Sequence, residues 1–318
     1  MQSTRKKIWI FLCAILVILL AIAVLLPLQS NVYQQTRFHA TGNALSRQLL
    51  KDTVWHNWWP GKVIRTGDSM ILSAGKFTFL KRQTLLNNFI FTASSGSWSF
   101  QTTLTLIPQS NDEVIVSLSS VILLPTNPVE RIKGLFLSSQ LKEIFNDILN
   151  HLAGHFSLIR NLYGVDISES SVLFEYVATT SKTLDHRARV SEVYEVVDEL
   201  KDYIRQNHAE EKGFPMLHEN SFKPNEHYIQ VAIPIDRQLP DKGMIKSKWL
   251  LKGGQILKTE VKGNRKKIAK AMTQVEYYIQ DHNHARVAIP YQYLITNRLE
   301  QPDSAQWVTG IYYPVILH

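Results

Sequence analysis

Two stretches of this chain share one ending, YIQVAIPI at residues 228–235 and WVTGIYYPV at 307–315. Each is a β-rich run closed by a proline, which has no N–H to give a ladder and so belongs at a strand end. An amphipathic helix is expected before each run, at a similar distance. Val190, Val193, Tyr194, Val197, Leu200 and Ile204 fall on one helical face, and Ile268, Ala271, Met272, Val275 and Ile279 repeat that spacing. The helix ends correspond as well, Asp202-Tyr203-Ile204 against Tyr277-Tyr278-Ile279. The economical reading is an internal duplication of a strand–helix–strand–strand unit. Two such halves side by side enclose a cleft at their seam, a common place for a ligand.

The 318 residues allow two domains, each with its own core. A net charge of +8 and a pI near 9.4 favour anionic partners. Much of the basic excess is local. Lys242, Lys246, Lys248, Lys252, Lys258, Lys262, Arg265, Lys266, Lys267 and Lys270 crowd one stretch, relieved only by Asp241 and Glu260. The stretch reads as a solvated strand and helix face. No nucleic-acid motif accompanies it, so no nucleic-acid partner is expected. Cys13 is the only cysteine, which excludes an intrachain disulfide. Leu12 precedes it where a lipoprotein signal needs a small residue.

Residues 8–28 are almost wholly apolar, and about 21 residues at 1.5 Å each cover roughly 30 Å, the thickness of a hydrocarbon core. Arg5, Lys6 and Lys7 precede the run, while residues 29–36 carry no charge. The positive-inside rule then predicts a single-pass anchor within residues 1–30, with its N-terminus cytoplasmic and the rest extracytoplasmic. The alternative is secretion after cleavage at Ala21-Ile22-Ala23, a small-x-small site.

After this segment come a β-prone start, a short helix around residues 43–51 and an aromatic knot of Trp55, Trp58, Trp59, Pro60 and Gly61. Strands follow, with Trp98, Phe100, Thr102, Leu104 and Leu106 alternating, and Val114, Val116 and Leu118 likewise. A long helix closes the region through Leu141, Ile144, Phe145, Ile148, Leu152, Phe156 and Ile159. His151 and His155 lie one helical turn apart, but no carboxylate or third ligand stands near them, and no metal is expected. This order of elements, with the W-x-x-W-x-P-like turn at 52–61, resembles the START-like or SRPBCC superfamily over residues 31–165. The resemblance implies a helix-grip antiparallel sheet around the closing helix, with a cavity for a lipophilic ligand. The three tryptophans line that cavity or seal the core.

From residue 168 to 318 the duplicated region resembles the GyrI-like or AraC-effector-binding family. Gly253 and Gly254 match its glycine turn before a strand, although Leu251-Lys252 stands where a proline is common. PYQYLITN at 290–297, running on through Trp307 to Pro314, matches its closing pattern. Such domains bind small organic molecules, often lipophilic cations, in the groove between their halves. A carboxylate beneath aromatic faces offsets the ligand's charge, and the rings add about 0.5–2 kcal/mol of cation–π attraction. The family's glutamate falls on Gln292 here, which cannot neutralise a cation. It also cannot serve as the general base that some hydrolytic relatives use. Glu219 and Glu226, on the first half, are candidate substitutes, though nothing in their spacing requires it. A glutamate at 292 is expected to raise affinity for lipophilic cations and to destabilise the unliganded protein by a few kcal/mol.

The sequence therefore predicts an α+β chain with three parts: a transmembrane helix, an SRPBCC-like helix-grip domain and a duplicated βαββ GyrI-like domain. Its expected role is non-enzymatic sensing or sequestration of a small hydrophobic or aromatic ligand at the membrane, without cofactor. The alternatives are a hydrolase or cyclase using one of the two cavities, and a regulator acting through a protein partner. The expected ligand-binding residues are Trp249, Gln292, Trp307, Tyr312, Glu219 and Tyr228. No catalytic or metal-ligating residues are assigned.

Overall fold

The computed structural model describes residues 9–317 apart from 12, 16, 19–25, 68 and 224, and at Phe222 the backbone only. The chain is mixed α+β and divides into two compact units, Met1–Leu158 and Ile159–His318, each built on an antiparallel sheet.

In the first unit β1 (Gln29–His39) leads into α1 (Gly42–Leu49), whose first turn is capped by the Thr41 hydroxyl accepting from the Ala44 N–H at 3.1 Å. A 3₁₀ turn over Asp52–Asn57 follows. Then come β2 (Val63–Thr66), β3 (Ser69–Ala74), β4 (Phe77–Leu85), β5 (Asn88–Ser95), β6 (Trp98–Pro108) and β7 (Glu113–Leu123). These six strands form a meander, and β1 joins its end beside β7. Alternation along β6 and β7 buries Phe100, Leu104, Leu106, Val114, Val116 and Leu118. The unit closes with α2 (Pro128–Phe156), which has Asn127 as N-cap and Pro128 at its first position.

Helix α2 crosses the sheet. Gly134 lies against Leu124 and Trp98, Ile144 reaches the β3–β4 turn at Gly75, and Phe156 meets Trp58 with ring centroids 6.3 Å apart. Trp55, Trp58 and Trp59 are buried at 0%, 2% and 7% exposure, packed against Phe79, Phe89, Phe91 and Phe156. Trp55 donates to the Leu49 carbonyl and Trp59 to the Ser73 carbonyl, both at 2.9 Å. Gly61 sets its α-carbon directly on that Ser73 carbonyl, leaving no room for a side chain. His155 packs edge-on to Phe156, and burial lowers its pKa. His151 meets the Asp147 carbonyl at 2.9 Å and its carboxylate at 3.2 Å, so a carboxylate does stand one turn before it, but no cluster of three metal-ligating side chains forms among the described residues.

The expected single-pass localisation, with the N-terminus cytoplasmic and the domains extracytoplasmic, is overturned. Among the described residues no helix is long and apolar enough to cross a membrane, so a single-pass membrane protein is not supported. A span needs about 20 consecutive apolar residues in one helix; at the end of the expected segment Pro27 and Leu28 lie outside any helix, and Gln29 and Ser30 belong to β1. Residues 1–8, 12, 16 and 19–25 of the expected anchor, including the cleavage alternative at 21–23, lie outside the described residues.

The second unit opens with the short α3 (Ile159–Tyr163). Tyr163 belongs to this unit, donating from a buried hydroxyl to Asp281 at 2.9 Å, so the unit begins ahead of the boundary expected at 168. It continues with β8 (Ser168–Ser171), β9 (Tyr176–Leu184), α4 (Val190–Gln206), β10 (Met216–Lys223), β11 (Glu226–Ile235) and β12 (Lys246–Trp249). Then follow β13 (Gln255–Lys262), α5 (Arg265–Asp281), β14 (Ala285–Arg286), β15 (Tyr291–Leu294) and β16 (Val308–Ile316). The strand order is β12-β9-β11-β10-β15-β16-β13-β8, with β14 paired to β16 off this path. The order has a two-fold pattern about the β10–β15 pair: β9-β11-β10 on one side answers β13-β16-β15 on the other. The outermost strands are exchanged, since β8 pairs with β13 and β12 with β9.

The two prolines occupy corresponding places. Pro234 pairs with Val177 and Pro314 with Ile256, each beyond the end of its inner neighbour strand. Each carbonyl accepts from the segment following the helix of its half, from Lys212 N–H at 2.8 Å and Val287 N–H at 3.2 Å. Both helices lie on one face of the sheet. Leu217 belongs to the core beneath α4 and pairs directly with Gln292, whose amide reaches Met272 of α5 at 4.0 Å. Directly paired residues share a face. The basic stretch of β12, β13 and the start of α5 is exposed except at Arg265, which is half-buried.

At the start of α4, Glu192 accepts from the Arg189 N–H at 2.7 Å and meets His186 Nε2 at 2.9 Å, while His186 Nδ1 meets Asp185 at 2.6 Å. Asp185 and then Glu192 raise the His186 pKa above its ordinary 6.5. A raised folded pKa gives stability that is complete below the unfolded value and disappears as pH rises through the folded one. The stability difference between wild type and His186→Gln is therefore expected to be largest below about pH 6.5 and to vanish above the raised pKa. Denaturant titrations of both proteins across that range test it, and a difference independent of pH would refute it.

Candidate functional site

The seam strands β10 and β15 present two different faces. On the face without helices, register brings together Val177 and Thr179 of β9, Gln230 and Ala232 of β11, and Met216 and His218 of β10, with Tyr291 of β15 beside them. With Leu250, Ala288, Ile289 and Pro314 these residues line a pocket of about 260 Å³. It spans both halves of the unit. Its polar wall is already hydrogen-bonded: Tyr228 donates to Gln230 at 3.3 Å, Gln230 to Thr179 at 3.1 Å, and Thr179 to the Val231 carbonyl at 2.9 Å. His218 Nδ1 lies 2.8 Å from the Pro290 carbonyl. The remaining surface is largely apolar.

One side of the pocket is backed by three tyrosines. Tyr291 and Tyr312 stack with centroids 5.3 Å apart and planes 4° from parallel, and Tyr293 meets Tyr312 at 4.6 Å. Burial raises the pKa of all three phenols, so each keeps its proton at neutral pH and can donate it.

The opposite face carries the helices and a buried cation. Arg298 is 5% exposed. Its guanidinium lies 4.9 Å over the Trp307 ring, with Nη2 at 3.0 Å from Thr309 Oγ1 and 3.5 Å from Gln292 Oε1. Its Nε finds no acceptor among the described residues. Burial pulls the guanidinium pKa down, with Tyr194 and Glu219 acting the other way; arginine nevertheless stays charged at neutral pH. The Arg298 backbone N–H donates to the Tyr194 hydroxyl at 2.9 Å, and Trp307 donates from its indole to the Gln301 carbonyl at 2.8 Å.

The residues expected to line one groove thus fall in three places. Tyr312 belongs to the tyrosine group on the helix-free face. Trp249 borders the pocket at the end of β12 and is 60% exposed; by register it shares the face of Tyr176, whereas Lys248 shares that of Val177. Gln292 and Trp307 surround Arg298 on the helix face. Glu219 and Tyr228 border a more open pocket of about 430 Å³ with Arg187, Ser221 and His227, and Glu219 lies 4.0 Å from Arg265. Sequence reasoning passed over Met216, His218, Lys248 and Arg298. Alternation along β15 separates Tyr291 from Gln292, but only strand register shows which of them meets this pocket.

No protein-family model matches the chain, and no curated protein does. Solved structures similar to it include the EcmrR C-terminal domain, at 14% identity over 48% of this chain and 99% of that one, with a TM-score of 0.39. SAV2435 bound to tetraphenylphosphonium is similar at 12% identity over 48% and 94% of the two chains, TM-score 0.30. The Zhui aromatase/cyclase from Streptomyces sp. R1128 is similar at 10% identity over 40% and 92%, TM-score 0.30.

Proposed function

We propose that the second unit is a small-molecule-binding module of the GyrI-like kind, taking a flat, largely apolar ligand in the pocket on the helix-free face of its seam. The observation that carries this reading is the lining itself. The wall is apolar apart from a few polar groups, most of them already tied to one another or to main chain, and one aromatic face is supplied by Tyr291. Such a lining suits retention of a ligand more than chemistry upon it. The GyrI-like closing motif at 290–297 supports the same reading. In this proposal the first unit is an SRPBCC-like helix-grip domain, supported by its order of strand, helix, meander and long helix.

Ala232 sits half-buried in the pocket floor between Thr179 and Met216. Ala232→Trp should fill the pocket and weaken binding of a neutral apolar dye, N-phenylnaphthylamine, at least tenfold, a loss of about 1.4 kcal/mol. The unfolding midpoint of the variant is the control for its fold. Equal dye affinity in wild type and a folded Ala232→Trp would remove this pocket as the site.

A further inference from the structure

Building on that pocket, we propose that its ligand is an organic acid, a flat apolar body whose anionic group pairs with Lys248 at the rim. Lys248 pairs directly with Val177, and directly paired residues share a face, so its side chain belongs to the pocket side of the sheet. Lys248 and His218 are the ionisable cationic side chains of the lining, and none of the lining residues is Asp or Glu.

Neighbouring charges leave this cation available. Lys246, two residues earlier, is held by Asp241 at 3.2 Å, while Lys248 makes no ion pair among the described residues. Farther along the same face, register places Lys258 and Glu260 of β13 beside Tyr312 and Gly310, where one offsets the other. Glu175, just before β9, is engaged by the Tyr176 hydroxyl. Glu219 lies on the other face with Arg265.

The apolar floor and the rim cation divide the work of recognition. Val177, Met216, Ala232 and Ile289 take the hydrocarbon body, and Tyr291 offers a ring face together with a phenol that stays protonated through burial. A cationic ligand would meet Lys248 without any lining carboxylate to offset it. An acid gains a charge–charge attraction there, at a partly solvated position where one unit charge a few ångströms away is worth about 1 kcal/mol, or roughly fivefold in affinity.

Two dyes with the same ring system isolate that charge: anilinonaphthalene sulfonate, an anion, and neutral N-phenylnaphthylamine. Wild type should bind the anion about fivefold more tightly than the neutral dye at low salt, and the preference should shrink as salt screens it. Lys248→Gln should abolish the preference while leaving the neutral dye within twofold. Lys248→Glu should reverse it. If both dyes bind equally in wild type and both are lost in Ala232→Trp, the pocket stands and the acid preference falls. Anion binding that survives Ala232→Trp would be surface binding and would likewise overturn the proposal. If neither dye binds the pocket, the reading of the pocket itself fails.

Discussion

Gln292→Glu should stabilise the second unit by about 1–2 kcal/mol at pH 7, and the gain should disappear in acid. The reason is Arg298. Its guanidinium is buried, stacked on Trp307, and weakly held by Gln292 Oε1 at 3.5 Å, with Nε lacking an acceptor among the described residues. A carboxylate in place of the amide turns a long ion–dipole hydrogen bond into an ion pair between opposite charges. Desolvating the new carboxylate opposes this, but its partner is already out of water, so the pair bears one new desolvation term rather than two. The arginine would hold the pKa of the introduced carboxyl below the ordinary 4.3 or so. A depressed folded pKa gives stability that is complete above the unfolded value and lost as pH falls through the folded one. The sequence alone pointed the other way, toward a destabilising lone carboxylate that attracts lipophilic cations. That expectation lacked the internal cation. Denaturant titrations at pH 7 and in acid test the sign, and the same change in an Arg298→Met background should cost stability instead. A loss at pH 7 with Arg298 present would reject the pairing.

A single methyl group at Gly61 should have a larger effect, a loss of about 3 kcal/mol from the first unit. A β-carbon there runs into the Ser73 carbonyl and carbon, which are main-chain atoms and cannot swing aside. Ser73 is also fixed from several directions. Its carbonyl accepts from the Trp59 indole at 2.9 Å, its N–H donates to the Lys62 carbonyl at 2.9 Å, and its hydroxyl accepts from the Lys62 N–H at 3.2 Å. Moving the carbonyl away from residue 61 therefore disturbs the tryptophan group in the core. Gly154, inside α2 with open space at its missing β-carbon, provides the contrast. Gly154→Ala should gain up to about 1 kcal/mol from helix propensity alone. Unfolding followed by tryptophan fluorescence compares the two. A Gly61→Ala protein as stable as wild type would show that the approach to Ser73 is not tight.

What could be read in the sequence was what has a short period. The helices α4 and α5 were visible because apolar residues recur on one face over four turns, and β6 and β7 because inward and outward residues alternate. The prolines marked the correct ends to within two residues, since a missing N–H has a local consequence. Pairing over long separations was not visible. β8 and β12 are four residues each, too short to carry a pattern, and nothing near them names their partners. The same holds for the site. Gln292 and Tyr291 could be assigned to opposite faces, but which face carries the helices depends on the Leu217–Gln292 register. Arg298 follows a turn and has the local sequence of a surface residue; its burial comes from Trp307, Thr309 and Tyr194, which reach it from elsewhere in the chain.

The exchange of β8 and β12 also bears on how the second unit can be made. β8 precedes every other strand of the unit as the chain is synthesised, yet its partner β13 comes after the whole of the first half. Before that β9, α4, β10 and β11 can assemble, but β9 lacks its outer neighbour until β12 emerges and β10 faces an empty seam until β15 does. Both positions are sheet edges with unpaired backbone groups, which invite association with other chains. Closing such distant pairs carries loop entropy before any contact compensates for it, so folding is slow relative to local hairpins. The two sides of the sheet answer each other in strand order, but neither is a finished object. Each takes its last strand from the other's leading segment, and the nascent chain must remain open until β16 has emerged.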